Sequence, residues 1–292
     1  MKNKGLIITI ITILSLLIIS LIILMYVFIN KRPSFDFSFN FTQTLEKLQI
    51  DKKYEELFKE INIDATSADI EIKKSDDNMI KLKTYSKDNE SKEEVNSDIL
   101  TIKIEKETCK NFCINNKISK IELYIPENYE NKININNKYG DIKIDKFDNL
   151  NLNINEDAGD IKIDTINTAT IDNKYGDIEI VNIKQGNIKA ASGDIKINNS
   201  NNLKIENNYG DIEINNINEY ISIKANSGDI KIDNLNIIEN SNIENDYGDI
   251  KIKYTNAYID AKTNLGDTKI NNNNNSDITL KIQNNCGDIK VN

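Results

Sequence analysis

Nine aspartates recur at a near-constant interval, each directly after a glycine: Gly140-Asp141, Gly159-Asp160, Gly176-Asp177, Gly193-Asp194, Gly210-Asp211, Gly228-Asp229, Gly248-Asp249, Gly266-Asp267 and Gly287-Asp288. Successive pairs are 17 to 21 residues apart. A file of carboxylates could do three kinds of chemistry. It could supply acid–base pairs, an oxygen cage for a hard cation, or side-chain acceptors for backbone amides at a turn. The 292-residue chain contains no histidine, so Ser–His and Cys–His nucleophile pairs and the usual zinc ligand are excluded. Arg32 is the only arginine, so the Arg-Lys-Asp face of β-helix enzymes that act on acidic sugars is missing. A calcium site would have one Asp per corner, followed by Ile or Thr, and would need its remaining oxygens from carbonyls and Asn. Diffuse, weak cation binding by the acidic face fits better. These eighteen residues therefore read as structural turns: Gly allows φ > 0 and Asp accepts from nearby amides. The sequence predicts no catalytic residue, no cofactor and no specific metal site.

What must position these corners are short strands. After each Gly-Asp comes an alternating run such as Ile142-Lys143-Ile144 or Ile212-Glu213-Ile214, and before the next Gly comes another, such as Leu150, Leu152, Ile154 or Leu280, Ile282. Alternating β-branched and charged residues mark half-buried strands with isoleucine inward. Each repeat reads as two strands and two turns. One repeat cannot bury its isoleucines alone, whereas a stack of repeats can, which predicts an all-β fold, a β-solenoid (β-helix) of Gly-Asp-Ile-x-Ile repeats. A finer alternation lies on top. The residue before Gly runs Tyr139, Ala158, Tyr175, Ser192, Tyr209, Ser227, Tyr247, Leu265, Cys286. Two residues earlier, Asn137, Asn173, Asn207, Asn245 and Asn284 accompany the Tyr-type repeats, while Glu156, Ala190, Ala225 and Thr263 mark the others. The coil is therefore either about 18 residues or about 36. The alternation favours the longer, with Tyr on Tyr and Asn on Asn ~4.8 Å apart and the Asn column bonded along the axis.

Upstream, Leu6–Ile29 carries no charge over 24 residues, ~36 Å as a helix, enough to cross a ~30 Å hydrocarbon core. No small-x-small cleavage site follows, which predicts an uncleaved single-pass helix in the cell membrane, N-terminus cytoplasmic and large domain extracytoplasmic. The expected domains are 1–32 (cytoplasmic stub and helix), 33–60 (juxtamembrane), 61–130 (β-rich N-terminal cap) and 131–292 (solenoid repeats). In the juxtamembrane part Phe35, Phe37, Phe39 and Phe41 alternate with polar residues, as an edge strand or an interfacial aromatic belt would. Thr44 to Glu60 could hold a short helix. Ser67-Ala68-Asp69-Ile70 looks like a degenerate corner, and Gly186-Asn187 like a corner with Asn in place of Asp.

Four of the 37 basic residues precede Ser34 and all 46 acidic ones follow it, so the outer part has an acidic excess of 13. That argues against nucleic acid, whose phosphates need a basic footprint, and against anionic surfaces. Cys109 and Cys113 flank a loop and could form a disulfide outside the cytoplasm. Cys286, in the slot held elsewhere by tyrosines, reads as core filler. The terminal Gly287-Asp288-Ile289-Lys290-Val291-Asn292 reads as a bare last strand, open to strand addition by a partner.

The order of one apolar helix, then INIDATSADIEIKKSDDN, LTIKI, IELYIPENY and serial GDIKI/GDIEI repeats resembles the bacterial putative-adhesin β-strand-repeat family, including LiaG-like cell-envelope proteins. The resemblance covers about residues 60 to 292. It implies a β-solenoid outside the cytoplasm and no catalytic or ligand residues to carry over. The expected function is a non-enzymatic binding or adhesion module, with a cell-envelope protein or glycan as partner. A regulatory or sensory partner in envelope stress is the second reading, and a carbohydrate-active β-helix enzyme, which would need a concave acidic cleft, the third.

Overall fold

The computed structural model describes residues 47–86, 89–106, 118–271 and 275–292. The apolar segment Leu6–Ile29, the phenylalanines 35–41 and Cys109 and Cys113 lie outside these residues. Among the described residues no helix is long and apolar enough to cross a membrane.

In chain order the strands are β1 (Lys47–Tyr54), β2 (Glu60–Ala65), β3 (Ala68–Lys74), β4 (Ile80–Ser86), β5 (Asn89–Asn96), β6 (Ile99–Lys106), β7 (Ser119–Ile125), β8 (Lys132–Tyr139), β9 (Ile142–Ile144), β10 (Asn151–Ala158), β11 (Ile161–Tyr175), β12 (Ile178–Ser192), β13 (Ile195–Tyr209), β14 (Ile212–Ser227), β15 (Ile230–Leu235), β16 (Ser241–Tyr247), β17 (Ile250–Thr255), β18 (Tyr258–Leu265), β19 (Thr268–Ile270), β20 (Thr279–Cys286) and β21 (Ile289–Val291). Where a short helix was conceivable the chain forms β1, antiparallel to β4.

The fold is a β-solenoid whose coils stack parallel and in register. Ile161 pairs with Ile142 on one side and Ile178 on the other; Ile178 pairs in turn with Ile195. One Gly-Asp corner therefore closes each coil, and a coil takes 17 to 21 residues. The longer, two-corner coil is overturned. Tyr stacks on small residues, not on Tyr: Ala158 pairs with both Tyr139 and Tyr175, and Ser227 with both Tyr209 and Tyr247. The exposed decoration repeats every two coils while the backbone repeats every one.

In β11 the buried positions are Ile161, Ile163, Ile166, Ala169, Ile171 and Asn173. Within a straight strand, inward positions are two apart. The two intervals of three mark two further bends, so each coil turns at three places rather than two. Of the 58 buried apolar residues described, 40 are isoleucine, in columns one coil apart. Gly186 belongs to this inner surface and is no corner. It pairs with Ala169 and Leu203, and a Cβ there would lie 2.8 Å from Leu203 Cδ1.

Coil order departs from chain order at both ends. β2 lies between β6 and β8, and β3 between β7 and β9. The residues expected as a cap thus divide. β2 and β3 form a coil with neighbours on both sides, β6 and β7 lie outside it, and antiparallel β5, β4 and β1 cover the end. Lys73 and Lys120 pair with Glu71 and Glu122 across β3 and β7, holding the Glu122 carboxyl down at about 2, below its ordinary range, against the opposing effect of its partial burial. At the other end β20 pairs with both β16 and β18, and β21 with both β17 and β19. Ile289 is therefore an inner residue and not an edge. The last strands of the chain are inserted between two coils made earlier.

Candidate functional site: the Gly-Asp edge

Each corner places three columns side by side along the axis. The backbone N–H of every corner aspartate donates to Oδ1 of the aspartate one coil away. The chain of bonds runs Asp69, Asp141, Asp160, Asp177, Asp194, Asp211, Asp229, Asp249, Asp288, Asp267, all at 2.8 to 3.0 Å. Asp69 of the degenerate corner is its first member. Burial pushes the Asp69 carboxyl above its ordinary range, and the Asp141 amide pulls it back. An exposed row of like charges ~4.8 Å apart repels itself; donation from an amide to each carboxylate offsets that repulsion.

Beside the aspartates runs a seam of glycines. Gly210 has φ +128°, and a Cβ there would lie 2.2 Å from the Gly193 carbonyl oxygen. Gly159 takes no such positive φ, yet a Cβ would still lie 2.0 Å from the Gly140 oxygen, so contact alone demands glycine. Gly210→Val should therefore cost about 3 kcal/mol or more, because the obstacle is backbone that cannot swing away. Lys143→Gln, on the exposed face, should cost within about 0.5 kcal/mol. Urea unfolding of both variants checks this, and equal midpoints would remove the seam's role.

Behind the seam, the inward asparagines fasten the corners. Asn173 Nδ2 donates to the carbonyls of Gly159 (3.2 Å) and Gly176 (3.1 Å). Asn207 does the same for Gly193 (3.4 Å) and Gly210 (3.0 Å), and Asn245 for Gly228 (3.0 Å) and Gly248 (3.3 Å). They do not bond to one another along the axis. That chain exists in another column, where Asn234, Asn216, Asn199, Asn182 and Thr165 hand on an amide donor at 2.8 to 2.9 Å. Its signal was present, since these residues share the corner period.

Glu156 occupies the inward asparagine column between Asn137 and Asn173 and is fully buried. Neither carboxyl oxygen has a hydrogen-bond partner, and Oδ1 of both neighbouring asparagines is likewise unpaired. Burial pushes the carboxyl up to about 8; Asn137 and the Ala158 amide pull the other way without completing a bond.

On the outer side of the seam stand the tyrosines. Tyr139, Tyr175, Tyr209 and Tyr247 are 56 to 64% exposed, and Leu265 70%. Cys286 shares this column as a partly exposed free thiol, outside the buried core. Beyond the aspartates, Lys231, Lys251, Lys290 and Lys269 stack in register, and with Asp211, Asp229, Asp249, Asp288 and Asp267 they flank a shallow groove of about 560 Å³. Among the described residues no group of three or more His, Cys, Asp or Glu is arranged to hold a metal ion. The carboxylates form a line instead of converging, so the edge offers a repeated surface and not a reaction centre.

Residues 58–291 match the family model Toastrack DUF4097. The chain belongs to this family. The Toastrack match begins at Phe58, before the first corner, and so takes in β2 and β3 together with the repeats. No match was found among curated proteins. Of solved structures, a putative lipid binding protein from Parabacteroides distasonis is 17% identical, with 82% of this chain and 96% of that one covered at a TM-score of 0.41. A putative adhesin from Bacteroides fragilis is 20% identical over 84% and 97%, TM-score 0.36. A putative cell adhesion protein from Clostridium sporogenes is 12% identical over 84% and 99%, TM-score 0.21. At these scores the likeness carries no inference about what the Toastrack solenoid here binds.

Proposed function

We propose that the chain is a non-enzymatic binding or adhesion module of the cell envelope. In this reading Leu6–Ile29 crosses the cell membrane once, the N-terminus is cytoplasmic, and the solenoid presents its Gly-Asp edge outside to an envelope protein or glycan. The observation that carries it is the edge itself: every Gly-Asp corner adds an aspartate to one ladder and every second coil from Tyr139 to Tyr247 adds an exposed tyrosine beside it, with no converging catalytic set among the described residues. Repeated display suits an extended partner. The eighteen Gly and Asp residues hold the edge in shape, and the relation to LiaG-like proteins and the Cys109–Cys113 disulfide belong to the same proposal. In intact protoplasts, added protease should remove the solenoid and abolish retention of purified envelope material. Full protection of the solenoid would refute the outside placement; retention of nothing by the intact protein would refute the binding role.

A second reading, a regulatory partner that signals through its membrane segment, is favoured by the outermost strand β19, which pairs only with β21 among the described strands. An edge strand accepts an added strand. Exchange of residues 6–29 for an unrelated membrane helix separates the readings: a regulator loses function and a passive binder keeps it.

A further inference from the structure

We infer that the tyrosine column binds a neutral, linear, β-1,4-linked glycan along the solenoid axis, one tyrosine to every second sugar. This rests on the binding reading above and names the partner class.

The spacing argues first. Tyr139, Tyr175, Tyr209 and Tyr247 alternate in register with Ala158, Ser192 and Ser227, so consecutive rings are two coils apart, ~9.6 Å. A β-1,4-linked chain follows a near two-fold screw and turns the same sugar face to one side at every second residue, over a comparable distance. The apolar C–H face of a pyranose stacks on an aromatic ring. The small residues between tyrosines leave room for the intervening sugar, which faces away. The flanks argue second. Next to the rings, Asn226 and Asn208 form an exposed amide pair (3.0 Å) and Lys174 meets Asp157 at 2.5 Å, while the aspartate ladder runs on the other side of the seam. Such groups pair with hydroxyls. Charge argues third: the acidic excess of the outer part disfavours a polyanion. A polyproline helix, at about 9.3 Å per turn, has a similar step, but such a helix docks in a groove walled by aromatic rings, whereas these tyrosines stand in single file among polar groups.

The test is titration of the full chain in detergent with chito-oligosaccharides from two to eight sugars. Tyrosine emission is the readout, because the chain has no tryptophan to mask it. Affinity should climb with each added pair of sugars. Tyr175→Ala and Tyr209→Ala should each weaken binding of the longest oligomer roughly tenfold, as truncation of a stacked aromatic anchor does. The Phe variants at both positions should bind as the parent does, and thermal unfolding should not move in any of the four. Affinity independent of length, equal binding of α-linked dextran, or tyrosine-dependent binding of a proline-rich peptide in place of the sugar would overturn the glycan. If the oligosaccharides fail while envelope material is still retained, the glycan inference falls and the binding module stands; if neither binds, both fall.

Discussion

Glu156→Gln should raise stability at pH 8 by a few kcal/mol, while leaving it nearly unchanged at pH 4. The buried carboxyl has its folded value raised from 4.5 to about 8. A raised acid holds its proton more tightly when folded, so the protein keeps its full stability below about 4.5 and loses it as pH rises toward 8. Raising the carboxyl from 4.5 to about 8 corresponds to ~5 kcal/mol at most, and relaxation around an ionised side chain reduces this. Glutamine keeps the shape, never ionises, and brings donors to a place where Asn137 Oδ1 and Asn173 Oδ1 are unpaired. Asp69, also raised, contributes pH dependence of the same sign, so the difference between parent and variant isolates Glu156. The check is urea unfolding of both proteins across pH 4 to 9. Parallel curves would mean that Glu156 does not titrate in the fold.

Removal of residues 279–292 should unfold two coils and not one. β20 and β21 lie between β16–β17 and β18–β19, and they are the only strands with which β18 and β19 pair among those described. Leu280, Ile282, Ile289 and Val291 are fully buried, together worth roughly 6 to 12 kcal/mol of burial, and their loss exposes the facing Ile243, Ile250 and Ile252. Hydrogen exchange should show protection lost through residues 258–270 and weakened in 241–255. Retained protection of 258–270 after the truncation would contradict the inserted arrangement.

The solenoid was legible because its backbone requirement is periodic. The glycine of each Gly-Asp corner is forced by a backbone carbonyl one coil away, and isoleucine alternation marks the inner face. Coil length is masked in the sequence because the tyrosines and inward asparagines follow a two-coil rhythm that the backbone does not share. An exposed ring needs a small neighbour more than an identical one, and Asn173 bonds carbonyls of two successive corners, which makes an asparagine in every coil unnecessary. The ends were illegible for a different reason. Strand order is set by which coil covers which, and nothing local in Ile289-Lys290-Val291 distinguishes an inner coil from an outer one. Glu156 was visible as the odd member of its column, but its burial depends on Asn137 and Asn173 above and below.

The aspartate ladder also bears on how such proteins vary over evolutionary time. Each internal link joins one amide to one carboxylate of an identical neighbour, as between Asp177, Asp194 and Asp211, so no link depends on its position in the row. Excision of the two coils 178–211 would bring Ile212 directly after Asp177 and restore the same bond, the same isoleucine pairing and the alternation of tyrosine with a small residue, two layers shorter. Duplication would do the reverse. Length is thus a heritable trait that changes in whole layers, free of the compensating substitutions a globular core would require, while the differently ordered ends stay fixed. A family built this way can adjust how many tyrosines it displays by unequal recombination alone.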